Sequence, residues 1–436
     1  MGEETENGTG PGRRRAAHHL TAREWLLLLI LAAVQFTHTV DFMIIMPLGP
    51  VYMREMKLTA DQFSHVVAAY TVAAGAAGLI ASRILDRFGR KTALLTLYAG
   101  FVTGTLLCAI APGYFALLAA RTVTGAFGGV AAAVVLAVVG DVFPDVRRGA
   151  ATGVVMSAFS VAMIAGVPLG LVLEEQYSWH VPFIALGGLG VAVLALAFVL
   201  LPPLRGHIGR HPVRTKAAWA LFTEPNHLRA YTLMVAMMFG SFTISPLLAT
   251  FLEFNVGLAH DRIKWIYVCG GLATILTLTP IGRLADEYGK LRVFRICAVA
   301  TMLLIAAVTN LPAGLSLAAI LLATTGLFIA SSGRMVPAMA MITSSAALRD
   351  RGGFMSMNAA VQHLSAGLAT VVAGAMVVGG QDKQPLAGFG LVGLVACVST
   401  AVSVYLAGRL RPAPGGLLAP DVAEVEHMGE TVEAIH

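Results

Sequence analysis

Long apolar stretches separated by short polar segments are the dominant pattern of this chain. Each stretch is apolar throughout rather than alternating, which is typical of helices that cross a bilayer and not of strands. The predicted spans, numbered 1 to 12 in chain order, are residues 25–50, 62–82, 92–111, 115–142, 150–173, 181–203, 229–252, 263–284, 293–311, 315–345, 353–379 and 387–408. The pattern therefore predicts an all-α membrane protein with twelve transmembrane helices.

Composition supports this prediction and excludes soluble classes. Hydrophobic residues make up 57% of the chain and charged residues only 12%, whereas soluble proteins carry about 25% charged residues. The mean hydropathy is +0.77. In a soluble protein a net charge of +6 would suggest nucleic acid, but basic residues also accumulate in the cytoplasmic loops of membrane proteins. The expected partner is a lipid bilayer, and nucleic acid is not expected.

The distribution of basic residues predicts the orientation in the membrane. Of the 30 lysines and arginines, 23 lie in the segments on the side of the termini, five lie on the opposite side and two lie within spans. Because lysine and arginine accumulate on the inner side, both termini are predicted to be cytoplasmic. The first apolar stretch is not followed by a small-residue cleavage site, so it is interpreted as a retained span.

A central polar segment divides the chain into two bundles of six spans. This segment, residues 205–228, is interpreted as a linker rather than a domain because it is short. The predicted organisation is an N-terminal tail (1–24), a first bundle (25–204), the linker, a second bundle (229–409) and a C-terminal tail (410–436).

The two bundles share a loop motif. The loop after span 2 reads SRILDRFGRK from Ser82, and the loop after span 8 reads GRLADEYGK from Gly282. Aspartate and glycine recur at an offset of 200 residues, which indicates duplication of a six-helix unit. Duplicated halves with a central site are typical of transporters. The motif residues are Asp86, Gly89, Arg90, Gly282, Asp286, Gly289 and Lys290.

This loop pattern resembles the most specific signature of the major facilitator superfamily, and the resemblance covers the whole chain. It implies two pseudo-symmetric six-helix halves around a central cavity. In the first copy we expect Gly89 to adopt a positive φ and Asp86 to face the N-terminus of span 11. The resemblance also implies that Arg90 pairs with Asp141 and that these loops latch the halves together. A solvated basic loop is the alternative.

Asp41 is the acid that lies well inside a predicted span, and such a residue is a functional candidate. At about 1.5 Å per helical residue, Asp41 in span 1 and Arg121 in span 4 lie at a similar depth. Arg121 also begins an R-x-x-x-G segment that resembles the superfamily's proton-coupling signature. We therefore expect Asp41 to carry a proton and Arg121 to modulate it. A fixed structural ion pair is the alternative.

Other polar and apolar residues are candidates for the wall of the substrate cavity. His38 is one turn from Asp41 and extends a proton path or donates a hydrogen bond. For Arg334 three roles are open: it binds an anionic substrate group, it gates the inner mouth, or it is a structural arginine. Adaptable apolar side chains together with little charge predict a lipophilic, neutral or cationic small molecule as substrate. The remaining cavity candidates are Phe42, Met46, Met238, Gln362 and His363.

Span 5 bears on the direction of transport. Its Gly166, Pro168 and Gly170 resemble the glycine-proline element of the drug:proton antiporter branch with twelve spans, and they also predict a helix kink. The sequence thus predicts a proton-coupled exporter, monomeric and located in a bacterial inner membrane. A proton-coupled importer and a transporter-like sensor or scaffold remain alternatives. Neither a metal-ligand cluster nor a phosphate-binding loop is found, so no enzyme activity and no cofactor are expected.

Overall fold

The computed structural model describes residues 21–204, 223–347 and 350–413, without the side chains of residues 82, 83, 86, 145, 146 and 382. The predicted tails and the central linker lie largely outside these ranges, as does the side chain of Asp86. Within them the fold is helical, apart from one isolated bridge between Val378 and Ala387.

Twelve helical segments of the described chain are long and apolar enough to cross a membrane. This confirms the predicted all-α membrane class. The spans of the first half are Ala22–Ile44 with Gly49–Glu55, Ala60–Ile84, Arg90–Ala109, Tyr114–Val142, Asp145–Val161 with Val167–Gln176, and His180–Leu200. The spans of the second half are Pro225–Phe242 with Ser245–Phe254, Ile263–Glu287, Lys290–Val308, Leu317–Ser344, Arg351–Met376 and Phe389–Ala407.

Two of the helix starts are set by capping boxes. The Thr21 hydroxyl accepts the backbone N–H of Glu24, and the Glu24 carboxylate accepts the backbone N–H of Thr21 at 2.8 Å, which forms a capping box. Span 1 therefore begins at Ala22, inside the segment predicted as tail. Thr59 and Gln62 form the same arrangement at the start of span 2.

Spans 1, 5 and 7 are interrupted helices. The glycine-proline element predicted a kink in span 5, whereas the apolar pattern did not predict the breaks in spans 1 and 7. Span 1 breaks at residues 45–48 and resumes with Pro50 in its first turn, and span 7 breaks before Pro246. Proline has no N–H to donate to the preceding turn, so it restarts these helices. In span 5 a π-helical turn, Ala162–Gly166, precedes Pro168.

The two halves are joined through spans 2 and 11 and through spans 5 and 8. Because the number of spans is even, span 1 begins and span 12 ends on one side of the molecule, here called the terminal side; the opposite side is the far side. At the far side one hydrophobic core contains residues of both halves, such as Tyr52 and Leu247. Near the terminal side each half has its own core.

The halves separate toward the terminal side. Along one face of span 2, a Cβ atom built on Gly75 would lie 2.8 Å from Leu364 of span 11. A Cβ atom built on Gly78, one turn further on the same face, would meet nothing within 4 Å. The halves therefore enclose a space that is closed at the far side and widens toward the terminal side.

Candidate functional site

A cavity of about 580 Å³ lies between the halves, and we call it the chamber. This volume is in the usual range for small-molecule sites. Spans 1 and 5 of the first half and spans 7 to 11 of the second half supply its wall. Its methionines are Met43, Met46, Met163, Met237, Met238, Met335 and Met339. Flexible thioether side chains of this kind suit apolar ligands of varied shape.

The structure places five of the predicted cavity residues in the chamber wall: Phe42, Met46, Met238, Arg334 and Gln362. His38 and His363 do not belong to that wall. The His38 ring is buried between Tyr70 and Phe101, at centroid distances of 6.1 Å and 6.0 Å, and neither of its nitrogens has a hydrogen-bond partner. His38 therefore lies in the interior of the first half and not in the chamber wall.

Asp41 and Arg121 form an ion pair inside the first half. The Arg121 Nη1 atom donates to Asp41 Oδ2 at 2.7 Å, and both side chains are 0% exposed. Thr105 donates to the other carboxylate oxygen at 3.0 Å, and the Arg121 guanidinium lies 4.5 Å from the centre of the Tyr70 ring. The depth estimate had put the two charges at one level, and the tertiary structure brings them into contact.

The Asp41–Arg121 pair does not contribute to the chamber wall. The adjacent residues Phe42 and Met43 do, and the Phe42 ring lies 5.3 Å from that of Tyr70, which stacks on Arg121. Span 4, which carries Arg121, supplies no residue of the chamber wall in this conformation. The Tyr70 ring packs against both Arg121 and Phe42, so it lies between the ion pair and this part of the chamber wall.

Arg334 of span 10 is the charged residue of the chamber wall within the described chain, and its side chain is 0% exposed. It donates to Thr400 Oγ1 at 3.0 Å, to Ser241 Oγ at 2.8 Å and to the Met237 carbonyl at 3.4 Å. All three acceptors are neutral, and Nε has no acceptor. The charge of this guanidinium is thus not balanced by a carboxylate of the described chain.

The two copies of the loop motif differ in backbone conformation. Gly289 has a φ of +91°, in the region that favours glycine. Gly89 has a φ of −60° and is extended, so the expected positive φ at Gly89 is wrong. Gly89 instead directly precedes span 3, whose first residue, Arg90, donates its backbone N–H to the Leu204 carbonyl.

Arg90 and Asp141 are in contact on the terminal side. The Arg90 Nε atom donates to Asp141 Oδ2 at 2.8 Å, which joins the start of span 3 to the end of span 4. In the second copy Asp286 is exposed, and Lys290 begins span 9. A Cβ atom built on Gly282 would meet only Val336, at 3.9 Å. Open space therefore lies beside Gly282 in this conformation.

The glycines of span 5 permit its close approach to span 1. A Cβ atom on Gly166 would lie 2.3 Å from Val40, and one on Gly170 would lie 2.0 Å from Ile44. A π-helical turn, Ala162–Gly166, interrupts the α-helix of this span just before Pro168. The packing role of the glycines is therefore visible in this conformation.

Sequence reasoning missed a polar network that joins the halves at the far side. His260, just before span 8, lies with Nδ1 2.7 Å from Glu253 of span 7 and with Nε2 2.9 Å from Glu174 of span 5. Arg54 of the first half donates to Glu253, and Lys264 donates to Glu175 at 2.7 Å. The first-half residues Arg54, Glu174 and Glu175 are far in the sequence from their second-half partners, so no local spacing connects the two sets. Charged side chains at predicted span ends were the available signal.

Comparisons of sequence identify relatives over most of the chain. The family model described as Major Facilitator Superfamily matches residues 31–233 and 230–423. The MFS-type transporter YceJ of Bacillus subtilis is 25% identical over 394 residues, which are 89% of this chain and 97% of YceJ. The inner membrane transport protein YdhP of Escherichia coli K12 is 27% identical over 376 residues, which are 84% of this chain and 92% of YdhP.

Solved structures share the fold. One is a bacterial homologue of the human lysosomal transporter Spinster in an inward-facing and occupied conformation. Its TM-score is 0.72 at 13% identity, and the match covers 92% of this chain and 100% of that homologue. The nucleoside transporter NupG has a TM-score of 0.69 at 13% identity, with 89% of this chain and 99% of NupG covered. Since the family model and the relatives extend over both six-helix halves, the chain belongs to the major facilitator superfamily and is a multi-pass membrane transporter, not an enzyme.

Proposed function

We propose that this transporter exports lipophilic small molecules in exchange for protons by alternating access. The observation that carries the proposal is the Asp41–Arg121 ion pair, which is fully buried directly beside Phe42 of the chamber wall. Ionisable side chains inside a membrane are costly and mark proton or substrate pathways. Asp41 is the proton carrier, and Arg121 determines when it is ionised.

The physical basis of coupling is the charge balance of this pair. With Asp41 ionised, the pair is neutral overall and suits the closed first half. When Asp41 takes up a proton, the Arg121 charge is left buried without its partner, which is strongly unfavourable. The protonated transporter therefore favours a conformation in which Arg121 meets water, and proton transfer is tied to the change of conformation.

The far-side network acts as the closed gate in this conformation. Ionised carboxylates only accept hydrogen bonds, so an imidazole that contacts Glu174 and Glu253 through both nitrogens must carry both protons. His260 is therefore the cation between two anions that belong to different halves. With both termini in the cytoplasm, this conformation is inward-facing, and export requires the network to break.

The loops of the terminal side act as the latch of the alternate state. Arg90 and Asp141 fix the start of span 3 against the end of span 4. The second-copy residues Asp286 and Lys290 belong to the terminal-side ends of spans 8 and 9, on the side where the halves separate. Closing that opening brings the two copies of the motif together.

The chamber favours lipophilic substrates over cationic ones. Its wall is mainly methionine, phenylalanine and aliphatic side chains, and the charge it carries is the positive charge of Arg334. The element Gly166, Pro168 and Gly170 of span 5 supports export through its resemblance to the antiporter branch, and the inner membrane relative YdhP supports the same location for this chain. The working unit is a monomer, since each chain has both halves and its own chamber.

The test is transport by the full chain in proteoliposomes with an imposed pH gradient and a lipophilic fluorescent dye. The wild-type protein should move the dye against its gradient, and reversing the pH gradient should reverse the movement. Asp41→Asn should abolish uphill transport and retain dye exchange at equilibrium, because the proton site alone is lost. Asp41→Glu, which keeps the carboxylate, should retain partial uphill transport.

Glu55→Gln is the matched control, because Glu55 is an exposed carboxylate of the same half. It should transport as the wild type does. Undiminished uphill transport by Asp41→Asn would remove Asp41 from the mechanism. Movement of dye and protons in the same direction would contradict exchange and show co-transport instead.

A further inference from the structure

The charges of the chamber region are distributed unequally between the two halves. In the first half the acid Asp41 balances Arg121, and the pair is enclosed away from the chamber. In the second half Arg334 belongs to the chamber wall and contacts only neutral acceptors. Within the described chain, the chamber therefore has a positive charge without a negative one.

Burying a guanidinium without a counter-charge costs free energy, because the charged group loses its hydration. Two hydroxyls and a carbonyl replace part of the lost water, but they supply no charge, and Nε remains without an acceptor. A buried charge normally requires an ion partner. The neighbouring wall residues Ser331 and Met335 are only half-buried, so a ligand in the chamber can approach this position.

The shape of the guanidinium selects the kind of anion. Arginine presents a planar fork of N–H groups that matches a carboxylate in a two-point contact. One guanidinium balances one negative charge, and the surrounding methionine and phenylalanine side chains suit an apolar body. A turn of the Ser241 hydroxyl releases Nη2 from its present bond and makes it available to such a ligand.

We propose that Arg334 is the counter-charge for an organic monocarboxylate with an apolar body, which binds in the chamber with its carboxylate against the guanidinium. This inference rests on the proposed transport function and names the class of substrate. It also excludes lipophilic cations as preferred substrates, because Arg334 repels them.

The first test measures binding of three probes to the purified full chain in detergent by equilibrium dialysis. The probes share one ring: 1-naphthylacetate, 1-naphthylacetamide and the (1-naphthylmethyl)trimethylammonium ion. The wild type should bind the carboxylate about tenfold more tightly than the amide, the ratio expected for one charge-assisted hydrogen bond, and the cation more weakly than the amide.

Variants of Arg334 identify the source of this preference. Arg334→Gln should remove the advantage of the carboxylate and leave amide binding unchanged, whereas Arg334→Lys should retain part of the advantage. Arg292→Gln, which removes an exposed arginine of the same half, is the control and should behave as the wild type. Equal binding of carboxylate and amide by the wild type, strongest binding of the cation, or equal weakening of both neutral and anionic probes by Arg334→Gln would overturn the proposal.

A second measurement needs no bound ligand. Ser331 lies in the chamber wall one helical turn from Arg334. In Ser331→Cys, a negatively charged methanethiosulfonate should react several-fold faster than a positively charged one, relative to a free thiol. Adding Arg334→Gln should remove this difference, and an unchanged ratio would overturn the proposal whichever probe binds.

These outcomes are separate from those of the transport test. If the chamber shows no preference for anions and the pH gradient still drives uphill dye transport, only the monocarboxylate inference fails. If the anion preference is present and the pH gradient has no effect on transport, only proton exchange fails.

Discussion

Arg121 and Arg334 are both fully buried arginines that contact the first span of their own half, but their surroundings differ. Arg121 contacts the carboxylate of Asp41, whereas Arg334 contacts the hydroxyl of Ser241. The first pair is closed off from the chamber, and the second arginine is part of the chamber wall. The fold thus uses one type of side chain in two electrostatic situations.

This difference separates two tasks. An arginine with its own acid can respond to a proton, because protonation of the acid changes the charge balance of the pair. An arginine without an acid responds to an anion from outside the protein. In the proposed mechanism the first half therefore senses protons, and the second half recognises the substrate.

The largest expected effect comes from breaking the pair of the first half. Arg121→Gln or Asp41→Asn should each lower the free energy of unfolding by about 3 kcal/mol, because each leaves one buried charge without its partner. The double variant should lose less than the sum of the two single losses. Arg334→Gln removes no ion pair, so its loss should be about 1 kcal/mol. Unfolding in mixed detergent micelles measures all four variants.

Additive losses in the double variant would contradict a coupled pair in the first half. A loss for Arg334→Gln as large as that for Arg121→Gln would contradict the distinction between the two arginines.

The next effect comes from giving the second half its own acid. Ser241→Asp places a carboxylate beside Arg334, at the position that now accepts its hydrogen bond at 2.8 Å. This acid should compete with a bound carboxylate and lower the affinity for 1-naphthylacetate about tenfold, with little change for 1-naphthylacetamide. Equilibrium dialysis of both probes measures the effect.

Ser241→Asn is the matched control, since it has the same shape without the charge. If the aspartate and asparagine variants lose the same affinity, the shape of the wall rather than its charge is responsible.

The smallest expected effect comes from weakening the far side. His260→Gln removes the cation between Glu174 and Glu253, so the far-side-open state should become more populated and admit water to the pair of the first half. Cys108 is a reporter of that water, because it is 0% exposed and one turn from Thr105, which donates to Asp41. Its reaction with N-ethylmaleimide should become several-fold faster.

In the wild type the same reaction, measured relative to that of a free thiol at the same pH, should accelerate as the pH rises, because His260 then loses the second proton that its two contacts require. His65→Gln is the control, since His65 faces Asp61 of its own span. An unchanged rate for Cys108 in His260→Gln would show that the far-side network does not control the access of water to the surroundings of Asp41.

Much of the architecture was predictable from local pattern. Long apolar stretches predicted all twelve spans, because the bilayer requires length and hydrophobicity that are visible in any window of sequence. The breaks in spans 1 and 7 were not predicted, although Pro50 and Pro246 mark them, because apolar runs continue through them. Span 1 begins at Ala22, within the predicted tail of residues 1–24, because the capping box of Thr21 and Glu24 starts the helix there.

The candidate site was predictable only in part. Depth along a helix placed Asp41 near Arg121, since axial rise depends only on residue number. Direction around the helix decided that His38 points into the first half and that Met238 faces the chamber, and this depends on how the helices pack. The far-side network could not be predicted, because it joins residues of the first half to residues of the second half that no local pattern relates.

By itself, the sequence determined that the chain crosses a membrane twelve times, that it consists of two related halves and that an acid and an arginine lie at one depth. Hydrophobicity, repetition and axial distance are properties of the chain alone. Only the tertiary structure decided which arginine received an acid, which one faces the chamber and on which side the halves meet. Those outcomes depend on rotation and contact between helices, and the energy of a buried charge is determined by its neighbours rather than by its position in the chain.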